Sequence, residues 1–249
     1  MIHKADIQIH NQTLTQWADK IICFCLRHWL GLLLVSLLLV TTIPFLAPVA
    51  MAAGWTDVGT VIYTIYSPFC HQLPQRSWFL FGEKVTYTLT EINQVFPYTD
   101  QWSLRHFVGT PAMGWKVAWS DRMISFYWMT PVWGLVYAAL RQRGAIRPLA
   151  LKIILLALAP LVIDGVTHMI NDSIYGVSAE GFRDTNAWLR QLTDDAFPGF
   201  YAGDHFGTFN WWMRLLTGIL AAWGLVFGYF PWMNNFLRRE ENHYCSRVA

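Results

Sequence analysis

Four stretches of this chain are apolar at nearly every position, with neither the 3.6-residue stripe of a surface helix nor the strict alternation of a half-buried strand. A bilayer's hydrocarbon core, about 30 Å thick, needs roughly 20 such residues in a helix, and each stretch approaches that length. The first covers residues 29–48, within an interval from Arg27 to Asp57 that holds no charge. The second, 123–140, is rich in aromatics and stops at Arg141, Arg143 and Arg147. The third starts near Leu149 and runs to Ile163, with Lys152 close enough to its boundary for the amine to reach headgroup level. The fourth, 215–230, follows Asn210-Trp211-Trp212 and precedes Arg238-Arg239. Tryptophans and tyrosines near these ends read as interfacial belts.

Pro44 and Pro48 are expected to kink or fray the end of the first run. Ala50-Met51-Ala52 matches a signal-peptide cleavage pattern, but the long, mixed-charge segment before the run favours an uncleaved helix. Residues 58–75 carry no formal charge, and Val58, Val61, Ile62, Ile65, Tyr66 and Phe69 share one helical face. A fifth crossing there would move Arg141, Arg143 and Arg147 to the outside. Four crossings instead gather Lys4, Lys20, Arg27, Arg141, Arg143, Arg147, Lys152, Arg238, Arg239 and Arg247 on the inside, as the positive-inside rule requires. The 58–69 helix is then interfacial. The expectation is a multi-pass protein of the cell membrane, both termini cytoplasmic, with 1–28 as a cytoplasmic N-terminal segment.

The outer side then receives residues 54–122 and 171–210, expected to form a cap. Residues 84–90 (Lys-Val-Thr-Tyr-Thr-Leu-Thr) alternate strictly and predict a strand, as do 115–119. Residues 185–192 predict a short helix capped by Asp184. With no internal repeat or linker, 1–249 reads as a single polytopic membrane domain. Its predicted fold class is an all-α membrane protein: four transmembrane helices, an interfacial helix and a small outer cap with short β-strands.

Composition agrees. Of 249 residues, 54% are hydrophobic and 14% charged, against about a quarter charged in soluble domains. A net charge of +2 without a basic run excludes a nucleic-acid partner of the usual electrostatic kind. Four cysteines are too few for a disulfide scaffold at this length, and Cys23-Phe24-Cys25 reads as helix surface.

Candidate chemistry concentrates on the outer side. Asp164, His168 and Asp172 fall at i, i+4 and i+8, a single stripe of metal or proton ligands. Measured from the turn between the second and third crossings, Arg122 lies at nearly the same height as Asp164, which predicts an ion pair between the two helices. Arg76, with Arg105, Arg122 and Arg183, offers an alternative use of the same face as an anion site. Cys70-His71, together with Asp164 and His168, is a candidate set for a transition metal, and a buried apolar cysteine is the simpler account of Cys70. His106, His205, Asp194, Asp195 and Asp204 add polar groups without a Ca²⁺-loop spacing. Ser77 and Ser120 lack a nucleophile-elbow context, and the aromatic excess is explained by packing and belts without a pigment.

Residues 66–78 (Tyr-Ser-Pro-Phe-Cys-His-Gln-Leu-Pro-Gln-Arg-Ser-Trp), 108–118 and 163–167 together resemble the predicted-membrane-protein family known as domain of unknown function 2085. The resemblance spans roughly 66–228. It implies a helical membrane protein and a shared outer-face site of Cys70, His71, Arg76, Arg122 and Asp164. Family members carry one or two cysteines in the segment matching 120–123 and tend to have Gln where His168 stands. Ser120 and Met123 replace those cysteines here, leaving a soft-metal or redox site incomplete. Three functions follow as expectations. The first is a non-enzymatic subunit of a larger membrane complex, with the bilayer and other membrane subunits as partners. The second is an outer-face metal- or lipid-binding enzyme using Asp164 and His168. The third is a small-solute transporter, although the interrupted helices of that class are missing.

Overall fold

The computed structural model describes residues 2–98, 100–177 and 180–248. It is mostly helical, with four helices long and apolar enough to cross a membrane and one small sheet. Helix α1 (Ile2–Ala52) runs on through Pro44 and Pro48, so neither proline ends it. Its stop lies at Gly54, whose φ of +80° suits the left-handed position after a helix. There the N–H groups of Gly54 and Trp55 donate to the Met51 and Ala50 carbonyls at 3.1 and 2.8 Å.

The chain turns back into α2 (Thr56–Tyr66). The stripe expected on its apolar face is divided: Tyr66 is buried, while Val58, Val61, Ile65 and Phe69 are exposed. The inward face is Gly59, Tyr63 and Tyr66. The Tyr66 hydroxyl donates to the Val40 carbonyl of α1 at 2.8 Å, and Tyr63 donates to the Lys116 carbonyl at 2.5 Å.

Strands β1 (Ser77–Leu80), β2 (Gly109–Thr110) and β3 (Gly114–Ser120) form an antiparallel sheet in the order β1-β3-β2. The register slips between Ser77 and Phe79, which face Ser120 and Lys116, so the extra residues of this irregularity lie in β3. The strand expected at 84–90 does not form. Only the Val85 carbonyl joins the sheet edge, accepting from Phe79 N–H at 2.7 Å, and the chain enters α3 (Leu89–Val95) instead. Thr88 and Glu91 make a reciprocal capping box there, a helix-start signal that outweighs the alternation around it. A short helix α4 (Gln101–Leu104) follows, capped by Asp100.

Helix α5 (Asp121–Arg143) begins where β3 ends and contains a π-helical turn at Ile124–Trp128. Helix α6 (Leu151–Tyr175) extends well past Ile163. The single helix expected at 185–192 is two, α7 (Phe182–Thr185) and α8 (Ala187–Leu192), divided by Asn186 in the left-handed region. Asp184 does not cap the second. It closes the first, accepting from Gly181 N–H at 3.0 Å. Helix α9 (Phe209–Val248) completes the fold and is far longer than its apolar core.

Three apolar clusters hold these elements. Leu30, Leu34, Tyr137, Val226 and Phe230 join α1, α5 and α9. Ala47, Tyr63, Tyr66, Val117, Trp119 and Ile124 seat the sheet and α2 on the bundle. Phe79, Tyr87, Ile92, Leu104 and Phe107 form the core of the cap. Away from the cap, Cys23 and Cys245 pair with a Cα–Cα distance of 5.7 Å, tying the two longest helices, α1 and α9, together. This pairing was not foreseen from the sequence, because the two residues are 222 positions apart.

Candidate functional site

Under the cap, side chains from six places meet in a buried network of four arginines and four aspartates. The first turn of α5 supplies Asp121 and Arg122. One face of α6 supplies Asp164, His168 and Asp172, as the i, i+4, i+8 spacing predicts. Helix α7 supplies Arg183, the loop before α9 supplies Asp204, α9 supplies Arg214, and the turn before β1 supplies Arg76.

Asp164, 2% exposed, accepts from Arg122 at 2.7 Å and from Arg183 at 2.6 Å. Arg76 holds Asp172 in a two-pronged contact at 2.7 and 2.9 Å and reaches Asp204 at 2.6 Å. Arg214 donates from Nε to both Asp121 oxygens at 2.8 Å and from its two terminal nitrogens to the Asp204 carboxylate and carbonyl at 2.6 Å each. Burial alone would raise the Asp204 carboxyl, but the charges of Arg76 and Arg214 hold it well below the ordinary carboxylate range. His168 is 2% exposed and lies between the two halves of the network. Its Nδ1 is 2.9 Å from the Asp164 carbonyl and its Nε2 is 3.5 Å from Arg214.

The frame around these groups is polar and tight. Asn171 donates to Asp184 at 2.8 Å and accepts from Arg183 N–H at 2.9 Å. A β-carbon at Gly181 would lie 2.1 Å from the Asn171 side-chain oxygen, so only glycine allows this approach. Asn210 fastens α9 to the same loop through the Arg183 carbonyl at 2.6 Å.

Two arginines of the network, Arg122 and Arg183, each have a buried Nε without a partner among the described residues, and of the two only Arg122 borders a cavity. Arg122 spends only Nη2 on protein partners, Asp164 and the His168 ring, while its Nε is buried without a partner among the described residues. Arg122 also lines a cavity of about 50 Å³ with His71, Arg76, Ser120, Asp121 and Arg214. Partial burial and the positive charges of Arg76 and Arg105 lower the His71 imidazole below its usual range, so it is neutral at pH 7. Guanidinium N–H groups and a neutral imidazole make this a cavity suited to a ligand rich in acceptor oxygens.

The structure brings Asp164, His168, Arg122 and Arg76 into one network, with His71 at its edge. It does not assemble the metal set of Cys70, His71, Asp164 and His168. Among the described residues, no group of three or more His, Cys, Asp or Glu side chains is placed to hold a metal ion. The reason is local saturation. Cys70 is buried, and its sulfur accepts from Ser120 N–H at 3.2 Å and Gln72 N–H at 3.4 Å. Asp164 is filled by two arginines. Ser120 and Met123 stand at the same cavity, so the positions where a cysteine pair would complete a soft site carry a hydroxyl and a thioether. The residues present do not fit a transition metal.

The remaining sequence candidates disperse. His106 contacts the Trp102 carbonyl within the cap, Arg105 donates to the Ser67 carbonyl, and Asp195 pairs with Arg190 at the surface. Arg214 was missed, although an arginine one residue before an apolar run is itself a signal of a pairing partner. Lys116 was also missed: it is fully buried in β3, and its amine donates to the Gln72 and Arg105 carbonyls at 2.6 Å each. Nothing in the alternation of 115–119 distinguishes it.

Burial pushes the Lys116 amine from 10.5 down to about 7. In the unfolded chain the amine keeps its proton up to the ordinary value. Between these two limits the unfolded state therefore binds more protons, and stability rises with pH. Below pH 7 this contribution is flat. Melting curves between pH 7 and pH 10 should show a rise that Lys116→Met lacks; equal profiles for the two proteins would contradict this account of the lysine.

No protein-family model matches the chain, and no solved structure matches it. A 65-residue stretch is 35% identical to an uncharacterised protein of Methanocaldococcus jannaschii. That match covers 24% of this chain and 42% of the archaeal protein.

Proposed function

We propose that this chain is a four-crossing membrane protein, both termini cytoplasmic, whose outer cap builds a recognition pocket for a small anionic group. The observation that carries the reading is Arg122, a desolvated guanidinium with one nitrogen engaged and the others unused, facing a cavity shared with His71, Arg76 and Ser120. A carboxylate or phosphate oxygen is the acceptor such a donor selects. In this reading Asp164 and His168, both enclosed, position Arg122 and do not meet the ligand themselves. Kinship with domain of unknown function 2085 is part of the proposal. It is supported by His71, Leu73 and Arg76 of the resembling stretch lining the cavity, with the Cys70 sulfur accepting from Ser120 N–H at its wall, while Ser120 and Met123 there are the positions that depart from the family.

The test is ligand-dependent thermal stabilisation with inorganic phosphate, sulfate and small carboxylates. One of these should raise the melting temperature of the native protein and leave Arg122→Gln unmoved. Stabilisation of both proteins alike, or of neither by any of the anions, would overturn the reading.

Orientation rests on the arginine distribution and on α1 and α9 ending side by side, which suits an even number of crossings. Cys25 is exposed and unpaired near that end. A membrane-impermeant maleimide should label it only after cells are opened, and labelling of intact cells would reverse the topology. The Cys23–Cys245 disulfide at the same end would suit the opposite, oxidising side, and the same labelling decides between the two.

A second reading, a non-enzymatic subunit of a larger membrane assembly, is favoured by the exposed Trp102, Trp188, Leu192, Phe197 and Phe206 of the cap. Defined partner subunits co-purifying in mild detergent, and lost when these residues become polar, would support it.

A further inference from the structure

At the end of the bundle opposite the cap, two cavities of about 340 and 330 Å³ lie side by side. Arg27, Trp29 and Glu241 line the first, Tyr137, Arg143 and Asn235 the second, and Arg141, Asn234 and Arg238 line both. Asn234 fixes Arg141 by accepting from Nη1 at 2.7 Å, and Glu241 is spent on Arg27 at 3.1 Å. Among the described residues, no carboxylate pairs with Arg141, Arg143 or Arg238. This end is therefore rich in uncompensated guanidinium charge, in contrast to the closed network under the cap.

Beside the second cavity, across the short loop 144–150, lies a groove of about 370 Å³ between α6 and α9. Its walls are Leu149, Leu151, Ile154, Leu225, Tyr229 and Trp232. The loop is pinned to α9 by Leu149 N–H donating to the Phe227 carbonyl at 3.1 Å. A basic polar cavity and an apolar groove, separated by one anchored loop at the ends of the apolar helices, match the two halves of a phospholipid.

We propose that this end of the bundle binds an anionic phospholipid, its phosphate against Arg141 and Arg238 and one acyl chain along the Leu151–Trp232 groove. A lipid phosphodiester at headgroup level is the anion that arginines at helix ends meet in a bilayer. The inference rests on the four helices crossing a membrane, and is independent of the outer pocket and of which compartment this end faces.

The experiment is native mass spectrometry of the full-length protein after exchange into equimolar phosphatidylglycerol and phosphatidylcholine. The native protein should retain phosphatidylglycerol with a preference of roughly tenfold or more, and Arg141→Gln/Arg238→Gln should fall to near parity. Arg238 is exposed, so Arg238→Gln alone, with about a fivefold loss, carries the test if the double variant does not fold. Equal retention of both lipids by the native protein, or an unchanged preference in the variants, overturns the proposal. Stabilisation of delipidated protein by inorganic phosphate to the same extent as by phosphatidylglycerol would assign the site to a free anion and overturn the lipid. Failure at Arg122 with success here would remove the outer pocket and leave this site standing.

Discussion

Asp164→Ala is expected to destabilise the protein by about 3–5 kcal/mol, the usual result of stripping a buried charge of its partner. The loss is large because Asp164 serves two arginines at once, Arg122 at 2.7 Å and Arg183 at 2.6 Å. Both guanidinium groups would be left desolvated, and the ion-pair link between α5, α6 and α7 would go with them, leaving Asn171 to hold α7 on α6. Arg122→Gln has the opposite character. It removes one partner but leaves Asp164 held by Arg183, so its cost should be far smaller. Thermal unfolding in mild detergent, followed by tryptophan fluorescence, separates the two. An Asp164→Ala protein that melts like the native one would show that the network contributes nothing to the fold.

The second large effect is expected at Arg214, 1% exposed and bound to Asp121 and Asp204 through all three of its nitrogens. Arg214→Met should cost about as much as Asp164→Ala, because the Asp121 carboxylate loses the only charge that pairs with it among the described residues. Arg214→Lys should recover little of the loss, since one ammonium cannot reproduce a planar fork bridging two acids. Removing the stranded acid as well should help. In Arg214→Met/Asp121→Asn the combined loss should fall short of the sum by about 0.5–3 kcal/mol, the range seen for residues sharing one network. Strict additivity in a double-mutant cycle would contradict the pairing.

The parts of this architecture that the sequence made legible are those governed by bulk requirements. A helix crossing a bilayer must be long and apolar, and the four runs met that condition on composition alone. The pairing of Arg122 with Asp164 was legible because helical rise converts residue counts into height. What failed was decided by local competition or by distant contacts. At 84–90 the alternation was genuine, but a capping box at Thr88 and Glu91 draws the same residues toward a helix. Beyond the apolar run that closes at Ile163, the helical spacing of Asp164, His168 and Asp172 was legible, and these residues do continue α6 to Tyr175. The metal set of Cys70, His71, Asp164 and His168 was assembled from residue types, whereas Cys70 and Asp164 already accept from protein donors and the His168 ring is enclosed beside the Asp164 carbonyl and Arg214, which leaves His71 alone at the cavity. Arg214 and Lys116 were overlooked because their partners come from other elements: Asp121 and Asp204 for the arginine, two loop carbonyls for the lysine.

The most direct test of the outer pocket is what the protein carries from its own membrane. Native mass spectrometry of gently purified protein, with and without Arg122→Gln, reads the bound small molecule by mass. An acidic compound on the native protein, released as an anion on denaturation and missing from Arg122→Gln of equal melting temperature, is the predicted result. Identical bound masses for the two proteins, or a ligand without a carboxylate or phosphate, would contradict the assignment of Arg122 as the recognition residue.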